Sequence, residues 1–234
     1  MKVLNSFGPA FGLPDASPFC LKAMCLLNLS GTDWENNPGS DIRKAPMQKL
    51  PVLIDGDKIV ADSDAIRAHL EESAEIDFDS PLDTKQRAIS RSIIRMVEEH
   101  LYFCVVYDRW KLDSSWEQLK DNIFSDLPKP LKYFIPRIVR RSVLSNLHGQ
   151  GIGRFSYDDM LIRAAADLQS LESMLDEGPF LFGQEPTAAD ASVGSMLISI
   201  SVFPENTLLK QRIHSSEILM KYIGAIKTNL LKCA

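Results

Sequence analysis

The chain has 234 residues, 45% hydrophobic and 24% charged, which is enough for one large domain or two smaller ones, each with its own core. A formal net charge of −5 and a pI near 5.4 argue against a general affinity for nucleic acid or anionic membrane, since both need a positive field. Cys20, Cys25, Cys104 and Cys233 form no CxxC pair, metal-ligand spacing or dense disulfide framework, so a reducing, cytoplasmic setting without a bound metal is expected.

The N-terminal segment has no apolar run long enough for a signal peptide, because Gly and Pro interrupt it throughout. "KVLNSF" reads as a short strand, and "PFCLKAMCLLNLSG" as a helix ended by Ser30 and Gly31. A β-like segment follows. "LPVLIDGDKIVAD" then gives two β-rich runs around Asp55-Gly56, a strong hairpin signal, and "SDAIRAHLEES" a helix started by Asp62 or Ser63. This order describes a small α/β domain over residues 1–77. A linker is expected at 78–84 and an all-helical domain over 85–234. In that second part Ile89, Ile93, Met96, Val97, Leu101 and Cys104 recur at helical spacing. Further helices are expected at 115–124, 131–148, 156–175, 187–201 and 215–231. The apolar window 191–203 is too short to span a bilayer and reads as a buried helix.

Ser17 stands directly before Pro18, which is favoured in a first helical turn, so Ser17 falls at the cap. Its hydroxyl has two roles open to it: capping its own helix, or donating to a bound anion at the positive helix end. Pro51 begins a strand after a loop, where a cis bond is allowed. Asp62 and Ser63 open the next helix, either as an acidic cap or as an anion site with an acidic partner for an ammonium group. Cys20, three residues into its helix, is expected to be buried. "TAAD" and "SYDD" read as capping signals. "GQGIG" follows a helix rather than a strand, so it reads as a helix end and not a dinucleotide loop.

Taken together, "SPFCLK", "LPVLIDGDKIVADSDAI" and "FGQEPTAADAS" resemble the glutathione transferase superfamily over nearly the whole chain. With "HGQGIGRFS", the first of these resembles the branch of metaxins and failed-axon-connections proteins. The resemblance implies a thioredoxin-like α/β domain followed by an all-α bundle, acting as a homodimer with glutathione as co-substrate and a small hydrophobic electrophile. It implies that Ser17 donates to the glutathione sulfur and that Pro51 is cis, freeing the Leu50 backbone to pair with the cysteinyl unit. Ser63 would hold the γ-glutamyl carboxylate, with Asp62 near the amine. Tyr107 and Trp110 become candidates for the electrophile pocket, with core packing as the expected single explanation of the aromatic cluster. The rival reading is a binding or scaffold module of the same fold without turnover. A third is glutathione-dependent reduction or peroxidase chemistry through Cys20, disfavoured because the position of the usual first thiol is Ser17. The basic stretch "KPLKYFIPRIVRRSVLSNLH" could meet a membrane surface or an acidic partner, but the expectation is a solvated basic face on a packed helix, without membrane contact.

Overall fold

A computed structural model of the chain describes residues 1–125, 127–175 and 178–231; Cys233 lies outside them. Strand β1 (Lys2–Asn5) sends Leu4 into the core and forms the centre of a four-stranded sheet in the order β2-β1-β3-β4. β2 (Trp34–Asn37) runs parallel to it, and β3 (Val52–Asp55) runs antiparallel, pairing Asn5 with Val52. β4 (Lys58–Ala61) returns from β3 through Gly56 and Asp57, one place later than Asp55-Gly56, and Gly56 takes the positive φ that this turn requires.

Between β1 and β2 the chain crosses over as helix α1 (Pro18–Leu29), which buries nine of its twelve residues. A helix apolar on nearly all sides must be covered on more than one face. One cover is the sheet with α2 (Ser63–Ser73). The larger one is α8 (Ala188–Ser201), all of whose residues are buried. The core therefore runs without a break from Leu4, Leu21 and Leu26 through Ile93 and Val97 to Leu197 and Ile226. The two halves share one core instead of each enclosing its own.

Strand structure ends before residue 62, and residues 74–83 carry the chain to the helices. This connection is pinned by buried Asp79, which pairs with Arg67 at 2.8 Å and accepts from the Ala188 N–H at 3.2 Å. Helix α3 (Thr84–Met96) passes through one π turn (Val97–Leu101) into α4 (Tyr102–Trp110), and the turn buries Glu98. α5 (Asp113–Ile123), α6 (Leu131–Gln150) and α7 (Tyr157–Met174) follow. At the α6–α7 corner a Cβ on Gly153 would lie 2.8 Å from the His148 nitrogen, so the close return of "GQGIG" needs glycine there. α9 (Leu208–His214), which the sequence reading lacked, is capped by Thr207 and precedes α10 (Glu217–Asn229). Among the described residues no helix is long and apolar enough to cross a membrane.

Candidate functional site

Three chain segments meet where β1 ends and β3 begins. Cys20, one turn into α1, packs on Leu50 and Val52. The Asp62 N–H donates to the Pro51 carbonyl at 3.4 Å, and Lys22 of α1 pairs with Asp64 of α2 at 2.6 Å. The start of α1, the Leu50–Pro51 bond and the start of α2 are thereby held side by side. The bond between Leu50 and Pro51 is cis.

Ser17 is half-buried, and its hydroxyl oxygen accepts from the Cys20 N–H at 3.4 Å, a long contact that does not use the hydroxyl proton, for which the adjacent Cys20 sulfur is one acceptor. What fixes Ser17 is Asp15, a residue the sequence reading did not single out. Its buried carboxylate accepts from the Ser17 N–H at 2.8 Å and from the Gly8 N–H at 2.7 Å, which ties the long β1–α1 loop into a closed turn. Burial raises the Asp15 carboxyl above its ordinary value against the pull of these donors. Burial and the neighbouring Asp15 charge also push the Cys20 thiol far up, so Cys20 stays a neutral thiol inside the fold.

Leu50 and Ser63 carry unused polar groups. Leu50 is buried, and among the described residues neither its N–H nor its carbonyl has a hydrogen-bond partner. Ser63 is only 3% exposed, and its N–H and hydroxyl are likewise without partners. Nearly all buried backbone polar groups in folded proteins are paired, so such a grouping beside a helix N-terminus is suited to a ligand with peptide and carboxylate groups. Asp62 is exposed and adopts φ 83°, and its carboxylate caps α2 through the Asp64 and Ala65 N–H groups. Behind it buried Lys22 also pairs with Glu98 at 2.6 Å, while Arg91 and Arg95 hold Asp64 from α3. Burial would raise the Asp64 carboxyl, but Lys22 and the two arginines overcome this and hold it at about 2.

The aromatic candidates separate. Tyr107 is 3% exposed, stacks on Tyr157 and donates its hydroxyl to the Phe155 carbonyl at 3.2 Å, so it is a core residue with no face left for an electrophile. Trp110 is half-buried and packs on Trp116, in a cluster with Phe11 and Phe203. Phe19, two residues after Ser17, is in edge contact with Tyr102 at 4.8 Å, and Tyr102 in turn touches Phe103. The sequence signal for this shelf was present in the aromatic run at 102–103, but its partner Phe19 becomes visible only in three dimensions. Among the described residues no group of three or more His, Cys, Asp or Glu side chains is placed to hold a metal.

Two family models match: "Glutathione S-transferase N-terminal domain" over residues 18–116 and "Glutathione S-transferase, C-terminal domain" over 164–226, together more than half the chain. The chain belongs to the glutathione S-transferase family. This glutathione S-transferase-family chain is 28% identical to isoprene-epoxide–glutathione S-transferase of Rhodococcus sp. (strain AD45), over 97% of its own length and 98% of the relative's. It is 27% identical to Failed axon connections of Drosophila melanogaster, over 94% of its length and 55% of that protein's. Among solved structures it resembles the β-etherase LigF of Sphingobium sp. strain SYK-6, with a TM-score of 0.68 and 17% identity, covering 97% of this chain and 94% of that one. The thioredoxin-like sheet followed by a helical bundle is thus the architecture of this family.

Proposed function

We propose that this protein binds glutathione across Leu50, Pro51, Asp62 and Ser63, activates its thiol with Ser17, and directs it at a small electrophile. The observation that carries the proposal is the set of unpaired donors and acceptors on buried Leu50 and Ser63, next to a serine hydroxyl at a helix N-terminus. A peptide unit would pair in strand fashion with Leu50, and the γ-glutamyl carboxylate would take the Ser63 donors.

A free thiol with a pKa near 8.5 is only a few per cent thiolate at neutral pH. A hydroxyl hydrogen bond to a charged acceptor is worth about 1.5 to 3 kcal/mol, and a helix N-terminus adds about 0.3 to 1. Together these lower the thiol pKa by about one to three units at 1.36 kcal/mol each. The thiolate then attacks an electrophilic carbon. With an epoxide, the chemistry named for the Rhodococcus relative, the S–C bond forms, a C–O bond breaks, and the alkoxide takes a proton from water, balancing the one the thiol released. We place the electrophile against the Phe19–Tyr102–Phe103 shelf, whereas Trp110 belongs to the separate cluster around Trp116 and Phe203.

One observation favours the second reading, a binding module without turnover. The buried Asp15 carboxylate lies beside the proposed sulfur position and, when ionised, opposes a thiolate there. Calorimetric titration with glutathione, combined with ultraviolet titration of the bound thiol, separates the readings. Binding with a depressed thiol pKa supports the transferase, binding with an unshifted pKa supports the module, and no binding refutes both.

A further inference from the structure

Residues 127–157 contain six Lys and Arg side chains and no Asp or Glu, in a chain whose net charge is −5. The segment lies within the stretch 117–163 that separates the two matched family segments. A solvated basic face on a packed helix would bury the apolar residues of this segment. The first half of α6 does the reverse. Leu131 is 45% exposed, Tyr133 57%, Phe134 60% and Ile138 68%. Leu131, Phe134 and Ile138 follow at i, i+3 and i+7, so they form one stripe along the outer face. Arg137 and Arg141, one turn apart, flank it, and both are exposed. Among the described residues neither arginine, nor Lys129 before the helix, has an ion-pair or hydrogen-bond partner. Arg140 behaves differently: it turns inward to Asp113 and the Trp110 carbonyl and covers the Trp116 ring. It anchors the helix and leaves the outer stripe free.

We propose that this face of α6 docks on an anionic phospholipid surface. The charge pattern selects the partner's sign, since Arg137 and Arg141 lie along one side of the stripe and Lys129 precedes it, all three unpaired among the described residues, while the rest of the chain is acidic. The apolar residues favour lipid over an acidic protein. They form one narrow stripe on a single helix, whereas a specific protein interface buries about 800 Å² per partner in matched shapes. A bilayer interface requires no shape match. It accepts a helix lying in its plane with Phe, Leu and Ile toward the acyl boundary, Tyr at headgroup level and Arg on phosphate. Because the remaining surface repels an anionic membrane, contact is confined to this face, and the protein is held in one orientation.

The test is co-sedimentation of the full chain with vesicles of phosphatidylcholine alone and of phosphatidylcholine with about a third phosphatidylserine, at about 0.1 M salt. Binding is expected only to the anionic vesicles, and it should weaken as salt rises. The paired Arg137→Ser and Arg141→Ser change should reduce partitioning about 30-fold, each cation contributing about a factor of five. Ile138→Asp should abolish it. All three side chains are exposed, so unfolding temperature and glutathione titration serve as controls for an intact fold. Absence of binding to anionic vesicles, or equal binding to neutral ones, overturns the proposal. So does binding that ignores Ile138→Asp, which would describe a simple polyanion site. A shift in oligomeric state caused by these variants, without any vesicle binding, would instead make this face a contact between copies.

Discussion

Replacing Ser17 with alanine tests the proposed chemistry most directly, because the capping contact of its hydroxyl and the donor role we propose for it carry different costs. As a cap the hydroxyl makes a single contact of 3.4 Å, so its loss should cost at most about 1 kcal/mol of stability. Helix α1 is otherwise held by nine buried residues and by Asp15 on the Ser17 backbone, and neither depends on the side chain. As a donor to thiolate the hydroxyl is worth about 1.5 to 3 kcal/mol, which corresponds to about one to two pH units in the thiol pKa. Ser17→Ala should therefore shift the acid limb of the kcat/KM profile upward by about one to two units. At a fixed pH below that limb the rate should drop about 10- to 100-fold, with much of the loss recovered at high pH. The assay is steady-state conjugation of glutathione to a small epoxide across pH, with glutathione affinity measured on the same samples. An unmoved acid limb in a variant that still binds glutathione would refute the role of Ser17.

Three further changes probe the surrounding structure. Cys20→Ala should leave transferase activity within about threefold, because burial and Asp15 keep this thiol protonated; a larger loss would revive reductase chemistry through it. Asp190 accepts from the Leu181 and Thr187 N–H groups and from the Thr187 and Tyr222 hydroxyls, all at 2.8 to 2.9 Å. Asp190→Ala should lower unfolding free energy by about 3 kcal/mol or more in denaturant titration, and a loss under about 1 kcal/mol would contradict its place at the base of α8. The Asp64 carboxyl, held at about 2, lies below its ordinary value, so its ionised form stabilises the fold above about pH 4. That contribution, about 2 kcal/mol, should fade as pH falls toward 2, and Asp64→Asn should flatten this part of the stability–pH curve.

Elements with a strong local pattern were legible in the sequence. The β3–β4 hairpin was announced by Asp55-Gly56 between apolar runs, and α8 by Thr187 and Asp190 opening a stretch of apolar and small residues. The polar edge strand β2, with sequence WENN, has no such pattern and could be inferred only as β-like. Helix α9 is only seven residues long, too short for its periodicity to stand out. Of the candidate site, Ser17, Pro51, Asp62 and Ser63 could be named because capping and strand-start chemistry are local. Asp15 could not, since its importance lies in accepting from Gly8 and Ser17 together, a closure of the loop that sequence spacing does not express. Tyr107 stayed open between pocket and core for a related reason: an aromatic near the end of a helix can face either, and only the position of Phe155 decides it.

The unbroken core between α1 and α8 also governs how the protein can come apart. Cutting the chain after α2 would expose the face of α1 that α8 covers, including Cys25 against Ser195, and would strip the apolar cover from α8 as well. Neither fragment would then retain enough interior to stand alone, and heat or denaturant should melt both in a single transition. A ligand seated at the start of α1 would for the same reason slow hydrogen exchange in α8 and α10, although it touches neither.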